Sequence, residues 1–416
     1  MNMNQLTNKE IKEIAKACGA ADAGIISIAE LPEDQQDNVK KIFPTAESII
    51  SIAVNYNQNA IRSQFQPVGN MEFRSAYKSR DNICRDIERK LMEKDIGTVA
   101  ITETFPIDLT MNTPWLISHK DIAVKAGIGA KGLNRIVLHK KYGASIVLGS
   151  ILIDMKLDEY DRESTYDPCI NCNLCKAVCP TGAIEKDDFD FFGCYNHNYR
   201  DRGNSFKDIL NRLEKGNGGL EKITDDEKNT LWASIQEGYG FRCNRCVAVC
   251  PAAEREVDPF KADRKAFYNT YVKPFIDKEE TIFVQKGSKS EAFVDKNPAK
   301  TKKYVGKLMS IDTINFFKRG LTMVFNKEKA KDIKRTYQFI FTGSENEAFT
   351  VKVEEGKLSV YDGIAQDRDV LVKADSELWL KFLENEKILL KGILTRKIRI
   401  KGNPKYLKEF GTLFKV

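Results

Sequence analysis

A chain of 416 residues with 42% hydrophobic and 30% charged residues has the make-up of a soluble globular protein of two or three domains. Its formal net charge of +7 is too mild for a dedicated nucleic-acid binder, and no run of about 18 apolar residues is present to span a bilayer. With only His119, His139 and His197, a His-rich metal centre is excluded. The first ten residues carry neither the apolar core of a signal peptide nor a twin arginine, so the expected location is the cytoplasm.

In chain order, Leu6 to Cys18 reads as a helix with Ile11, Ile14, Ala15 and Cys18 on one face, stopped by Gly19. Residues 23–28 and 47–56 read as strands, the second continuously apolar. Ser75 to Lys94 reads as a long helix carrying Cys84 as a buried structural thiol, and residues 98–102 as another strand. The mixture of helices and strands gives an α+β class. Gly127, Gly129 and Gly132 then form G-x-G-x-x-G, but the residues before it look helical where a dinucleotide site needs a strand. What remains is a glycine-rich loop, which either turns the chain or lets a large flat ligand approach its backbone. Residues 135–139 and 144–153 read as strands joined by a hairpin-like turn at 140–143.

The most informative stretch is Cys169-Ile-Asn-Cys172-Asn-Leu-Cys175-Lys-Ala-Val-Cys179-Pro180, the C-x2-C-x2-C-x3-C-P run of a bacterial iron–sulfur site. A second run, Cys243-Asn-Arg-Cys246-Val-Ala-Val-Cys250-Pro251, lacks one cysteine, and Cys194 between the two can supply it. Cysteines two residues apart wrap one corner of a cubane, while the cysteine before proline opens a helix and reaches the other cluster. Cys169, Cys172, Cys175 and Cys250 are therefore expected to hold one [4Fe–4S] cluster, and Cys179, Cys194, Cys243 and Cys246 a second. Structural zinc does not ask for this spacing. The aromatic residues around 189–195 would shield a cluster from water.

Residues 201–229 read as a charged surface excursion, 233–238 as a short helix and 254–300 as an extended, solvated connector with a helix or two. Residues 311–325 read as an amphipathic helix. Four alternating strands follow at 337–341, 348–353, 357–361 and 370–373, then helices at 376–384 and 386–392, a last strand at 397–402 and a last helix at 405–414.

Two resemblances follow from these residues. The helix ending Ala126-Gly127-Ile128-Gly129, the Gly-x-x-Gly loop, Lys141-Tyr142-Gly143 and the ordered cysteine runs resemble the epoxyqueuosine reductase and reductive dehalogenase superfamily over about residues 8–255. The resemblance implies a nitroreductase-like core that binds cobalamin (flavin is the alternative for such a core), next to a ferredoxin-like module with two [4Fe–4S] clusters. It implies Gly127, Gly129, Gly132, Asn134, Tyr142, Gly143 and Ser145 near the corrin. Epoxyqueuosine reductases carry an acidic proton donor before a proline in this region, whereas Met111-Asn112-Thr113-Pro114 has no carboxylate; Tyr142 is the substitute donor proposed, with His119 and Lys120 as alternatives. The last part, ending Lys391-Gly-Ile-Leu-Thr-Arg-Lys-Ile-Arg-Ile-Lys-Gly402, resembles the sterol carrier protein fold.

The expected division is a core at 1–160, a two-cluster module at 161–260, a connector at 261–305 and a sterol-carrier-like domain at 306–416. The expected activity is a reductive dehalogenation or deoxygenation of a small or lipophilic substrate in an anaerobic cytosol. Electrons would come from a ferredoxin or flavodoxin, and RNA (a tRNA) is the other acidic partner the charge permits. The alternative is an electron-transfer or cofactor-handling protein without turnover of its own.

Overall fold

A computed structural model describes residues 6–101, 117–186, 188–199, 242–305, 313–327, 329–384 and 387–414, together with isolated positions between 224 and 232. The chain divides into two compact units, the second beginning at Met309.

The first unit begins with α1 (Asn8–Ala17), whose Thr7 and Glu10 cap each other reciprocally. It continues through β1 (Asp22–Ser27), α2 (Glu33–Ile42), β2 (Ser48–Asn55), α3 (Gln58–Ile61), α4 (Gln66–Met92) and β3 (Thr98–Ile101). After α5 (His119–Lys125) come β4 (Gly129–Lys131), β5 (Val137–His139) and β6 (Ile146–Ile153). The main sheet has the order β1-β2-β6-β3, and every neighbouring pair is antiparallel. Strand β2 is buried at seven of its eight residues, which is why its sequence is mostly apolar on both faces, with only Ser48 and Ser51 as buried polar residues. Helix α4 buries Phe73, Ala76, Arg80, Cys84, Ile87 and Leu91, a stripe at three- and four-residue steps. Cys84 lies against Gly149 of β6, where a β-carbon would come within 2.9 Å of the sulfur.

Several expectations are corrected here. Helix α4 starts nine residues before Ser75, because Phe65, Val68 and Met71 at its beginning are exposed and give no inward pattern. The glycine stretch is not all loop: Gly129–Lys131 pairs with Val137–His139. Residues 140–143 do not form a hairpin between β5 and β6. The turn closes by the bridge between His139 and Gly143, and β6 pairs elsewhere.

The cysteine region carries α6 (Leu174–Ala177), α7 (Phe191–Asn198) and α8 (Arg245–Ala248). Neither Cys-Pro opens a helix: α6 and α8 precede them, and the chain turns after Pro180 through Gly182 at φ +64°. The expected connector is more ordered than its composition suggests. It holds α9 (Glu254–Ala262), α10 (Arg264–Phe267), a π-helical turn into α11 (Lys273–Asp277), β7 (Glu280–Val284), α12 (Lys289–Val294) and β8 (Lys300–Tyr304). Strands β7 and β8 form a two-stranded parallel sheet. The surface excursion expected at 201–229 lies almost wholly outside the described residues, and the helix expected at 233–238 wholly so.

The second unit contains α13 (Ile314–Val324), β9 (Lys334–Thr342), β10 (Ala348–Glu354), β11 (Lys357–Asp362), β12 (Val370–Asp375), α14 (Ser376–Glu384), α15 (Lys387–Leu394), β13 (Ile398–Gly402) and α16 (Pro404–Leu413). Its sheet runs β11-β10-β9-β12-β13, antiparallel except for β9 with β12. Phe317, Phe339, Phe341, Phe349 and Trp379 fill the interior with ring centroids 5.1 to 6.3 Å apart. Gln338, buried on the opposite face of the sheet, donates to three carbonyls and accepts from Thr350 and the Ala365 N–H.

Candidate functional site

The cysteine runs are held by bonds from the core around them. Asp161, ahead of the first run, accepts from the Ile25 N–H at 2.8 Å and from Lys12 Nζ at 2.6 Å, tying this segment to β1 and α1. Asn171 and Asn173 take left-handed conformations (φ +52° and +60°), which curl the chain between ligand positions; asparagine tolerates this better than most residues. The second run is fastened from α3: Gln58 Nε2 donates to the Cys250 carbonyl (3.2 Å), Arg62 Nε to the Ala248 carbonyl (2.9 Å) and Asn244 Nδ2 to the Ile61 carbonyl (3.2 Å). Arg245 is buried and paired with Glu280 of β7.

The eight cysteines fall into two adjacent neighbourhoods. Cys169, Cys172, Cys175 and Cys250 line one opening, with Leu133, Asn134, Leu138, Ile170, Asn171, Asn173, Pro251 and Ala252 completing its wall. Around the other set, burial pushes the Cys194 thiol up, and the nearby Cys179 and Cys243 push it further. Burial, then Cys243, Cys194, Cys179 and Cys175, raise Cys246 in the same way. Cys175, Cys179, Cys194 and Cys246 also share a small apolar cluster with Leu133, Ala183, Ile184 and Phe189, which joins the two sets. Among the tyrosines and phenylalanines of α7, Phe191 and Tyr195 stack on one another rather than on the thiols.

The donor chemistry fits iron–sulfur clusters. Burial raises the Cys175 and Cys250 thiols to about 12 and Cys243 to about 11, so a bare thiolate is unfavourable in these places. Against that burial, backbone N–H groups of Lys176, Ala252 and Arg245 point at the same sulfurs and favour the thiolate, and Leu174 does so for Cys172. The Ala183 N–H donates to Cys179 Sγ at 3.2 Å. Buried sulfurs with amide donors are balanced by a positive core, and N–H···S bonds of this kind set cluster potential. Among the described residues no three His, Cys, Asp or Glu side chains gather around a point that could hold one metal ion. A cubane, unlike a single ion, spreads its ligands around a body several ångströms across.

The positions assigned to a corrin behave differently. A β-carbon on Gly127 would lie 2.7 Å from the Arg162 carbonyl oxygen, on Gly129 2.2 Å from that of Leu138, on Gly132 2.6 Å from the Leu138 side chain and on Gly143 2.6 Å from the Ala253 nitrogen. At Gly127, Gly129 and Gly143 the clash is with backbone, so these three are required by the chain's own close approach, whereas at Gly132 the Leu138 side chain can yield. Asn134 is buried with its amide spent on the Cys246 carbonyl (3.2 Å) and the Ile136 N–H (3.2 Å). Ser145 is buried with an unpartnered hydroxyl. Tyr142 stacks on His139 at 5.1 Å. Residues 111–114, where a carboxylate donor was sought, lie outside the described residues.

Of the alternative proton donors, His119 is buried with Nδ1 2.8 Å from Ser150 Oγ, and burial lowers its pKa to about 3, so it carries no proton to give near neutrality. Lys120 is placed better. Its tip is exposed, yet protein crowds it closely enough that desolvation, then Lys131, lowers the ammonium pKa, while Cys246 and Cys194 lie near enough to favour its charge. Its Nζ donates to the Arg135 carbonyl at 3.1 Å.

Residues 165–185 match the 4Fe-4S binding domain family, and residues 320–415 the SCP-2 sterol transfer family. The epoxyqueuosine reductase of Cyclobacterium marinum is 27% identical over 231 residues, covering 52% of this chain and 62% of that protein. That of Pseudomonas aeruginosa is 37% identical over 138 residues, 32% of this chain and 31% of that protein. A crystal structure of an epoxyqueuosine reductase with a tRNA-Tyr stem loop aligns with 60% of this chain and 65% of its own, at 20% identity and a TM-score of 0.37. The chain is a relative of the epoxyqueuosine reductases that ends in a sterol-carrier-type domain. It spans less than two thirds of the length of the first curated relatives it matches.

Within this relative, the 4Fe-4S match covers all four cysteines of the first run and stops short of Cys194 and the second. The backbone donors to the sulfurs and the place of Lys120 beside Cys194 and Cys246 had no signal in the sequence, because both arise from how the chain folds back on itself. No helix among the described residues is long and apolar enough to cross a membrane.

Proposed function

We propose that this protein is an iron–sulfur oxidoreductase whose two [4Fe–4S] clusters pass single electrons to a bound acceptor. Cys169, Cys172, Cys175 and Cys250 hold one cluster, and Cys179, Cys194, Cys243 and Cys246 the other. The observation that carries the reading is the single opening lined by the first four thiols, immediately beside the second set. The clusters supply one-electron transfer. The chain supplies burial, N–H···S bonds and, at Lys120, a cation whose proton is loosened by desolvation. A ferredoxin or flavodoxin is the proposed donor.

The reaction class is a two-electron, two-proton removal of oxygen, or the corresponding removal of halogen, from a small or lipophilic substrate, in line with the activity named for the relatives. Epoxyqueuosine in tRNA is the substrate their name suggests. Cobalamin is the acceptor that the family resemblance implies, and the reductase reading itself rests on the clusters. The test is anaerobic purification from a cobalamin-fed host, with iron and cobalt measured per chain and reduced-dye oxidation followed with and without epoxyqueuosine tRNA. Dye oxidation that depends on substrate supports the reductase. Clusters that exchange electrons but drive no substrate-dependent oxidation, across tRNA and halogenated or lipophilic compounds, favour an electron carrier.

A further inference from the structure

The second unit carries an apolar face that nothing within it covers. Helix α15 turns Leu389 and Gly392 inward: Leu389 packs on the core, and a β-carbon at Gly392 would lie 2.5 Å from Ile398. Leu390, Ile393 and Leu394 sit at three- and four-residue steps on the other side and are 70%, 45% and 83% exposed. Few large apolar side chains of the molecule are as exposed as Leu394, and these three share one helix face. Residues 387–408 contain eight lysines and arginines and no aspartate or glutamate. Lys391 lies among the apolar side chains and Lys397 in the turn after α15, both exposed, whereas Arg399 and Lys401, also exposed, alternate on β13 with Ile398 and Ile400 and so point away from α15. No ion pair neutralises these four among the described residues.

We infer that α15 and the turn after it form a docking surface for an anionic lipid bilayer. An apolar ridge rimmed by unpaired cations matches the acyl–headgroup boundary of such a membrane: the leucines enter the apolar layer and the cations meet the phosphates. A second copy of the chain is disfavoured, since like-charged rims would face one another. An RNA partner would use the cations but leave the leucines in water. The inference is independent of the reductase reading.

The test is co-sedimentation of the full chain with vesicles of phosphatidylcholine alone and of an equal mixture of phosphatidylcholine and phosphatidylglycerol. The chain is expected to sediment with the mixed vesicles only, and less as salt rises. The double variant L390E/L394E, whose changes are on exposed positions, should weaken this binding about tenfold or more while keeping the parent's thermal midpoint. K391E/K397E should weaken it by a similar factor. Failure to sediment with mixed vesicles overturns the proposal, as does equal binding to both vesicle types. So does RNA-hairpin binding that both displaces the vesicles and survives L390E/L394E.

Discussion

At the residue scale, each cysteine makes a separable claim. Cys250 lines the first opening, whereas Cys84 is a buried thiol packed on Gly149. C250A is expected to lower iron from about eight to about four per chain, and C84A to leave it unchanged, as read by iron analysis and by the electron paramagnetic resonance of the dithionite-reduced protein. K120M should reduce substrate-dependent turnover by about tenfold or more with both cluster signals intact, because it removes a proton source beside the clusters without removing a ligand. His119 and His197 are buried, and burial followed by nearby arginines lowers each pKa to about 3. Both are neutral in the folded chain, while the unfolded chain takes up their protons below pH 6.5. Stability is therefore whole above that pH and lost as pH falls toward 3, by about 2 kcal/mol per histidine between pH 7 and pH 5. Thermal midpoints measured under argon across that range check this, and H119L should flatten part of the slope.

At the element scale, the turn after β5 connects the glycine-rich region to the first cluster. Gly143 has φ +57° and touches Ala252 and Ala253, just beyond Cys250 and Pro251. G143V should destabilise the fold by about 1–3 kcal/mol and lower occupancy of the first cluster, seen as a loss of iron. If Gly143 instead served a corrin, iron would stay constant and only cobalt retention would fall. Elements also differ in how legible they were. The strands β2 and β6 could be read from their apolar runs, since both faces are covered. Helix α2, with Val39 as its inward anchor among Glu, Asp, Gln and Lys, has no such pattern. The three-residue strand β4 is too short for any periodicity, whereas β5 lies within the strand read at 135–139, and β7 and β8 lie in a Lys- and Glu-rich sequence whose ordering comes from Arg245, Glu280 and Lys300 pairing at their base. The cysteine spacing was readable because ligand geometry constrains sequence directly. The partners of the glycines were not, since a close backbone approach leaves the same mark whether the visitor is a cofactor or the chain itself.

At the scale of the whole molecule, two units with separate cores are joined by a segment between 305 and 313. Heating should therefore give two transitions, and iron removal should lower the first unit's midpoint while leaving that of the second within about a degree, since the second holds no cysteine. Calorimetry of holo- and apoprotein decides this; one shared transition that moves with iron would show the units to be coupled.

The central claim is that eight cysteines hold two four-iron clusters. The most direct measurement is iron and acid-labile sulfide per chain in anaerobically purified protein, with Mössbauer spectra of the 57Fe-enriched sample. The account predicts about eight of each, all iron in [4Fe–4S] form. Zinc in place of iron, or about four irons that persist unchanged in C250A, would contradict it.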